Sequence, residues 1–156
     1  KSILAQLEVL KDYKGEVIFI PGNHDWANGQ KEGLEYIKNQ QKYIEDYLNR
    51  EDVFLPKKGS PGPVEIKLSE DIVLILIDSQ WLFQETEKSY SGIEDEADLL
   101  IQIKDAISRN RDKKIIFAAH HPLYSVGKHG GHFPMVINIF PLLETKKKLY
   151  IPLPGF

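Results

Sequence analysis

Two short stretches of this sequence crowd together side chains that can do chemistry: IFIPGNHDWANG at 18–29 and IIFAAHHPLYSVGKHGGH at 115–132. In each, an apolar run stops and polar residues follow at once. The first places Asn23, His24 and Asp25 directly after Pro21-Gly22, and the second places His120 and His121 directly after Ala119. An asparagine amide oxygen is a neutral hard donor, and a neutral imidazole suits zinc, iron or manganese. A neighbouring histidine not used on a metal can hydrogen-bond a phosphoryl oxygen or protonate a leaving group. Each residue also has an ordinary local reading. Asn23 fits a turn, His24 a helix entry and Asp25 an N-cap. His120 fits a satisfied core position, His121 an extended residue before Pro122, and His129 a solvated loop between Gly127 and Gly130. Their clustering weakens these readings together. Four of the five histidines fall within 120–132, and the fifth is His24.

The elements that must position these residues can be read from the apolar pattern. Ile3, Leu4, Leu7 and Leu10 recur at helical spacing, so the sequence predicts a helix over 2–12. EVIFI at 16–20 reads as a strand buried on both faces. Leu34, Ile37, Ile44 and Leu48 mark one face of a helix over 31–49, interrupted by Gln41. A turn-rich stretch from Lys57 leads into an alternating strand with Val64, Ile66 and Leu68 on one side. Ser69-Glu70-Asp71 then connects it tightly to IVLILID at 72–78, so these two strands are expected to pair antiparallel. A polar loop over 83–96 precedes a helix over 94–110 with Ala97, Leu100, Ile103 and Ile107 facing inward. KIIFAA at 114–119 is the next buried strand, and HFPMVINIFPLLETKKK at 132–148 has a helical pattern restricted by Pro134 and Pro141. Strands alternating with helices, plus one hairpin, define an α/β layered fold. Three strands then end in polar residues: Asn23-His24-Asp25, Asp78-Ser79 and His120-His121. In open α/β sheets the carboxyl ends of the strands are where ligands bind.

Composition excludes several alternatives. With 156 residues, 42% hydrophobic and 28% charged, the chain has the make-up of one globular domain. The net charge of −3 and the absence of a large basic block argue against nucleic acid as the main partner. No apolar run approaches the roughly 18 residues of a membrane span. There are no cysteines, so neither disulfides nor thiolate metal sites are available.

GNHD at 22–25 resembles the signature of the calcineurin-like metallophosphoesterases. FAAHHPLYSVGKHG at 117–130 is similar to a segment of that family's purple acid phosphatase branch, which includes the tartrate-resistant type. The spacing from His129 to Pro141-Leu142-Leu143 follows the same branch. The resemblance implies a four-layer α/β/β/α sandwich with mixed sheets and two transition-metal ions (Fe, Zn or Mn) at the strand ends. It implies Asn23 and His120 as ligands of one metal, and His24 and His129 as catalytic residues beside the phosphoryl group. It matches His121 and His132 to substrate binding, and it leaves Asp78 structural. The activity implied is metal-assisted hydrolysis of a small phosphate ester.

The family's site has five sequence blocks, and only the third and fourth are found here. The Asp-x-His, Gly-Asp and Gly-His-x-His blocks are absent, since Asp12 falls on a helix. The expectation is therefore a single partial domain over 1–156, the central piece of a longer hydrolase, with an incomplete metal site and little activity alone. An uncovered sheet edge would then favour self-association. A non-catalytic protein-binding scaffold on the same fold is the alternative outside the enzymes; a phosphodiesterase or nucleotidase is the alternative within them. The compartment is open, with an exported parent favoured by the resemblance.

Overall fold

The computed structural model describes residues 3–84, 88 and 92–123. Helix α1, Ile3–Leu10, buries Leu7. Helix α2, Gly33–Leu48, buries Leu34, Ile37, Gln41 and Ile44 along one face and stops at Asn49. Asn49 adopts the left-handed conformation, φ 48°, and its N–H caps the carbonyls of Glu45 and Asp46. Gln41, which breaks the apolar stripe, has a specific use. Its Oε1 accepts the backbone N–H of Lys58 at 2.7 Å and ties α2 to the turn at Lys57–Gly59.

Strand β1, Val64–Lys67, pairs antiparallel with β2, Ile72–Leu76, as the short connection requires. Strand β3, Lys114–Ala118, pairs parallel with β2, from Ile72 opposite Lys114 to Leu76 opposite Ala118. The result is a three-stranded mixed sheet in the order β1-β2-β3. Between β2 and β3 run a short helix α3, Gln80–Phe83, and the longer α4, Glu96–Arg109. Helix α4 begins at Asp95, whose carboxylate accepts the N–H of Asp98 at 2.9 Å, with Glu96 and Asp98 in the first turn. The core joins Leu7, Trp26, Leu34, Ile37, Ile44, Phe54, Trp81 and Leu99.

Three expectations need correction. Strand β3 is not buried: Ile116 and Phe117 are exposed, and Ile115 and Ala118 are half-buried. Residues 16–20 are not a strand buried on both faces. They are half-buried or exposed, and Phe19 makes a single parallel bridge to Phe54. Its N–H donates to Val53 O and its carbonyl accepts from Leu55 N–H; the next rung would need the N–H of residue 21, and Pro21 has none. The inner face of α4 is also shifted. Leu99 and Ala106 are buried and Ile103 packs beside the core, whereas Leu100 and Ile107 are exposed. Asn110 closes that face by donating to Ala106 O, so the helix follows a stripe set by a small residue and an amide. Helix α3 has no counterpart among the elements expected from the apolar pattern. The helical pattern at 132–148 lies outside the described residues. No helix among the described residues is long and apolar enough to cross a membrane.

Candidate functional site

The Gly22–Gly29 segment is a compact turn built almost wholly from its own backbone. Gly22 O accepts from Asp25 N–H and Trp26 N–H, His24 O from Ala27 N–H, and Asn23 O from Asn28 N–H at 2.7 Å. Asp25 closes the turn from inside: one carboxylate oxygen accepts Gly22 N–H at 2.8 Å, and the other accepts Gln40 Nε2 of α2 at 2.6 Å. Asp25 thus works as a turn-closing acceptor. Ala27 and Asn28 both take left-handed φ, 50° and 54°, a conformation costly for alanine that the surrounding bonds must hold.

Beneath the turn, Trp26 is fully buried and its indole Nε1–H donates to Asp78 Oδ2 at 2.6 Å. The other Asp78 oxygen accepts Gln80 N–H at 3.0 Å. This pin joins the turn to the end of β2, residues far apart in sequence. Asp78 is fully buried, and burial pushes its carboxyl up to about 7 against the pull of those N–H donors; the nearby Asp25 charge adds to the rise. Asp78 is structural here, as the sequence suggests.

The parallel register of β2 and β3 continues past the strand ends. Ile77 N–H donates to Ala118 O at 3.1 Å, so the residues after β2 lie alongside those after β3. His120 then meets the turn: its Nε2 lies 3.0 Å from Asn23 Oδ1. The Asn23 amide is oriented by its Nδ2 donating to Asn28 Oδ1 at 3.4 Å, which leaves Oδ1 toward His120. The approach depends on Gly22, because a Cβ there would lie 2.5 Å from His120 Nδ1. Only a residue without a side chain leaves room for that ring.

His121 is half-buried and set edge-on to His120, ring centroids 4.9 Å apart at 88°, with Phe83 5.0 Å away. Ser79 Oγ contacts its Nδ1 at 2.9 Å and accepts its backbone N–H at 3.0 Å. Burial, and then the neighbouring His120, lower the His121 pKa below the usual imidazole value. His24 is exposed on the same turn as Asn23, with no described hydrogen bond to its imidazole. Asn23, His24, His120 and His121 are therefore gathered at two adjoining segment ends; His129 and His132 lie outside the described residues.

Asn23 Oδ1 and His120 Nε2 suit one divalent metal ion. Ligand atoms about 2.1 Å from an ion and at right angles to each other lie roughly 3.0 Å apart, and an amide oxygen with a neutral imidazole is an acceptable donor set. Such an ion takes the place of the Nε2 proton. No group of three or more His, Asp, Glu or Cys side chains that could hold a metal ion gathers among the described residues, and Asn23 and His120 by themselves offer two donors. A cleft of about 600 Å3 lined by Glu16, Arg50, Val53, Leu55, Val64 and Ile66 shares none of these residues. Ser79, named from sequence only as a strand-end residue, and Gly22, named only as part of GNHD, join the site in roles the sequence does not assign. Serine and glycine carry no distinctive signal by type, and only the β2–β3 register and the ring contact show what they do.

A search of curated proteins and one of solved structures returned no match. The family model described as calcineurin-like phosphoesterase matches residues 1–150, nearly the whole chain. The GNHD turn, the strand-end histidines and this match agree: the chain belongs to the calcineurin-like phosphoesterase family, whose chemistry is metal-dependent hydrolysis of phosphoesters.

Proposed function

We propose that this chain serves the hydrolysis of phosphate monoesters in the manner of the purple acid phosphatase branch, with Asn23 and His120 holding one divalent metal ion. The observation that carries the reading is the 3.0 Å approach of Asn23 Oδ1 and His120 Nε2, two donors from distant parts of the sequence. A metal ion bound there supplies Lewis-acid polarisation of a phosphoryl oxygen. His24, exposed on the same turn and with no hydrogen bond to its imidazole among the described residues, donates a hydrogen bond to the phosphoryl group as charge builds on its oxygens. His121 adds a neutral imidazole donor. The monoester preference and the roles of His129 and His132 are supported by sequence alone. The same reading takes a second metal and the four-layer sandwich from the family resemblance. It further holds that the chain is the central part of a longer domain, with little activity alone, because the Asp-x-His, Gly-Asp and Gly-His-x-His blocks implied by the resemblance are not found in its sequence.

The test reconstitutes the chain, alone and extended by its natural flanking sequence, with manganese, zinc or iron. Each form is offered an aryl phosphate monoester and the matching diester. Metal uptake and monoester hydrolysis by the extended protein are expected, with each lowered at least about tenfold in Asn23→Ala and in His120→Ala. An extended protein that stays metal-free and inert overturns the reading and favours a protein-binding scaffold. Faster cleavage of the diester moves the assignment to phosphodiesterases.

A further inference from the structure

Serine at the start of a helix ordinarily turns its hydroxyl inward to accept one of that helix's free N–H groups. Ser79 stands immediately before α3 and makes no such bond. The neighbouring Asp78 carboxylate takes the N–H of Gln80 in its place, at 3.0 Å. Ser79, only 6% exposed, spends its hydroxyl on the far side of the strand gap, touching His121 twice. The β2–β3 pairing makes this possible. Leu76 lies opposite Ala118, and the same offset carried three residues further sets Ser79 opposite His121.

The two contacts together fix more than position. Ser79 Oγ accepts the His121 backbone N–H at 3.0 Å, which uses one lone pair. Its single hydrogen is then free to donate to Nδ1 at 2.9 Å. With Nδ1 accepting, the neutral ring must carry its proton on Nε2, the nitrogen for which no partner is found among the described residues. The reverse assignment, Nδ1–H donating to Oγ, leaves the buried serine hydrogen without an acceptor there, at the cost of a lost hydrogen bond. His120 edge-on and Phe83 at 5.0 Å limit rotation of the ring about this contact.

We infer that Ser79 is a positioning residue that holds His121 with Nε2–H outward, as a hydrogen-bond donor to a phosphoryl oxygen. This rests on the functional reading above for the identity of the anion, but the serine–imidazole contact stands apart from any metal.

The test uses the intact chain at mildly alkaline pH, nitrogen-15 spectra of the histidine rings, and inorganic phosphate as the probe. Wild type is expected to show His121 as the Nε2–H form and to shift its Nε2 signal as phosphate is added. Ser79→Ala should give a mixture of the two neutral forms and bind phosphate roughly fivefold more weakly, the effect of losing about one hydrogen bond. Ser79→Thr, which keeps the hydroxyl, should restore both. Three results would overturn the inference: His121 carrying its proton on Nδ1 in wild type, no phosphate response at Nε2, or a Ser79→Ala spectrum and affinity equal to wild type. A Ser79-dependent Nε2 response in a protein that, metal-loaded and extended, hydrolyses no phosphoester would sink the functional reading and leave this one standing.

Discussion

The two segments that form the site are held in opposite ways. The Gly22–Gly29 turn is supported from within, by backbone bonds in succession, by the Asp25 carboxylate across its mouth and by Trp26 beneath it. The His120–His121 pair has almost no support of its own. His121 hangs on Ser79, and His120 is placed by Gly22 and Asn23, all of them residues of other segments. One segment is a scaffold and the other a guest. Damage to the turn should therefore cost stability, and damage around the histidines should cost the site while leaving the fold nearly intact.

The largest expected effect comes from removing the pin under the turn. Trp26→Ala deletes a fully buried indole and leaves the buried Asp78 oxygen without its donor. A cavity of that size and an orphaned acceptor together should lower stability by about 5 kcal/mol, read as a shift in the urea midpoint at unchanged slope. A loss below about 1 kcal/mol would mean that the turn does not depend on Trp26, and the contrast between scaffold and guest would fail.

Asp78 sharpens the same point through pH. Its carboxyl sits at about 7 in the folded chain against an ordinary value of 3.8, with burial as the first cause. Between those values the folded chain keeps a proton that the unfolded chain has released. The contribution of this group is therefore fully present below pH 3.8, declines as pH rises, and is gone above about 7. The full span is on the order of 4 kcal/mol. Unfolding measured across this range should show wild type losing stability relative to Asp78→Asn as pH rises. Parallel curves for the two proteins would place the Asp78 carboxyl near its ordinary value and remove the account of burial.

What the sequence discloses follows the same division. GNHD and the paired histidines carry their meaning in residue type, so Asn23, His24, His120 and His121 can be named from sequence alone. The hairpin is legible because three turn residues join two apolar runs, and α2 because its stripe is long. The Glu16–Ile20 segment misleads, since an apolar run reports a tendency to burial and not the neighbours that supply it; with one bridge, the segment is half-buried or exposed. The face of α4 misleads because its large side chains point the reader to Leu100 and Ile107. The packed stripe instead passes through Ala106, whose small side chain allows close approach. Ser79 is marked in the sequence only as a polar residue at a strand end, with nothing to show what it touches. Its role comes from strand register, a pairing between residues distant in the chain that no local pattern encodes.

The smallest expected effect on stability is also the one that isolates the guest. Gly22 has no unusual φ, so alanine there carries no conformational penalty, yet its Cβ would lie 2.5 Å from His120 Nδ1 and 2.7 Å from Cγ. The backbone on the turn side is tied down by Asp25 N–H and Trp26 N–H to Gly22 O, whereas the imidazole is exposed and free to swing outward. The ring should therefore yield, separating Nε2 from Asn23 Oδ1. Gly22→Ala is expected to change unfolding free energy by less than about 1 kcal/mol while weakening metal uptake about tenfold. Because the displaced ring also sits edge-on to His121, the nitrogen-15 signals of both histidines should move, with those of His24 unchanged. A variant that unfolds readily would show that the turn gives way before the ring, making His120 a structural member of the scaffold. A variant with wild-type metal uptake would show that the close contact does not position His120 for a ligand.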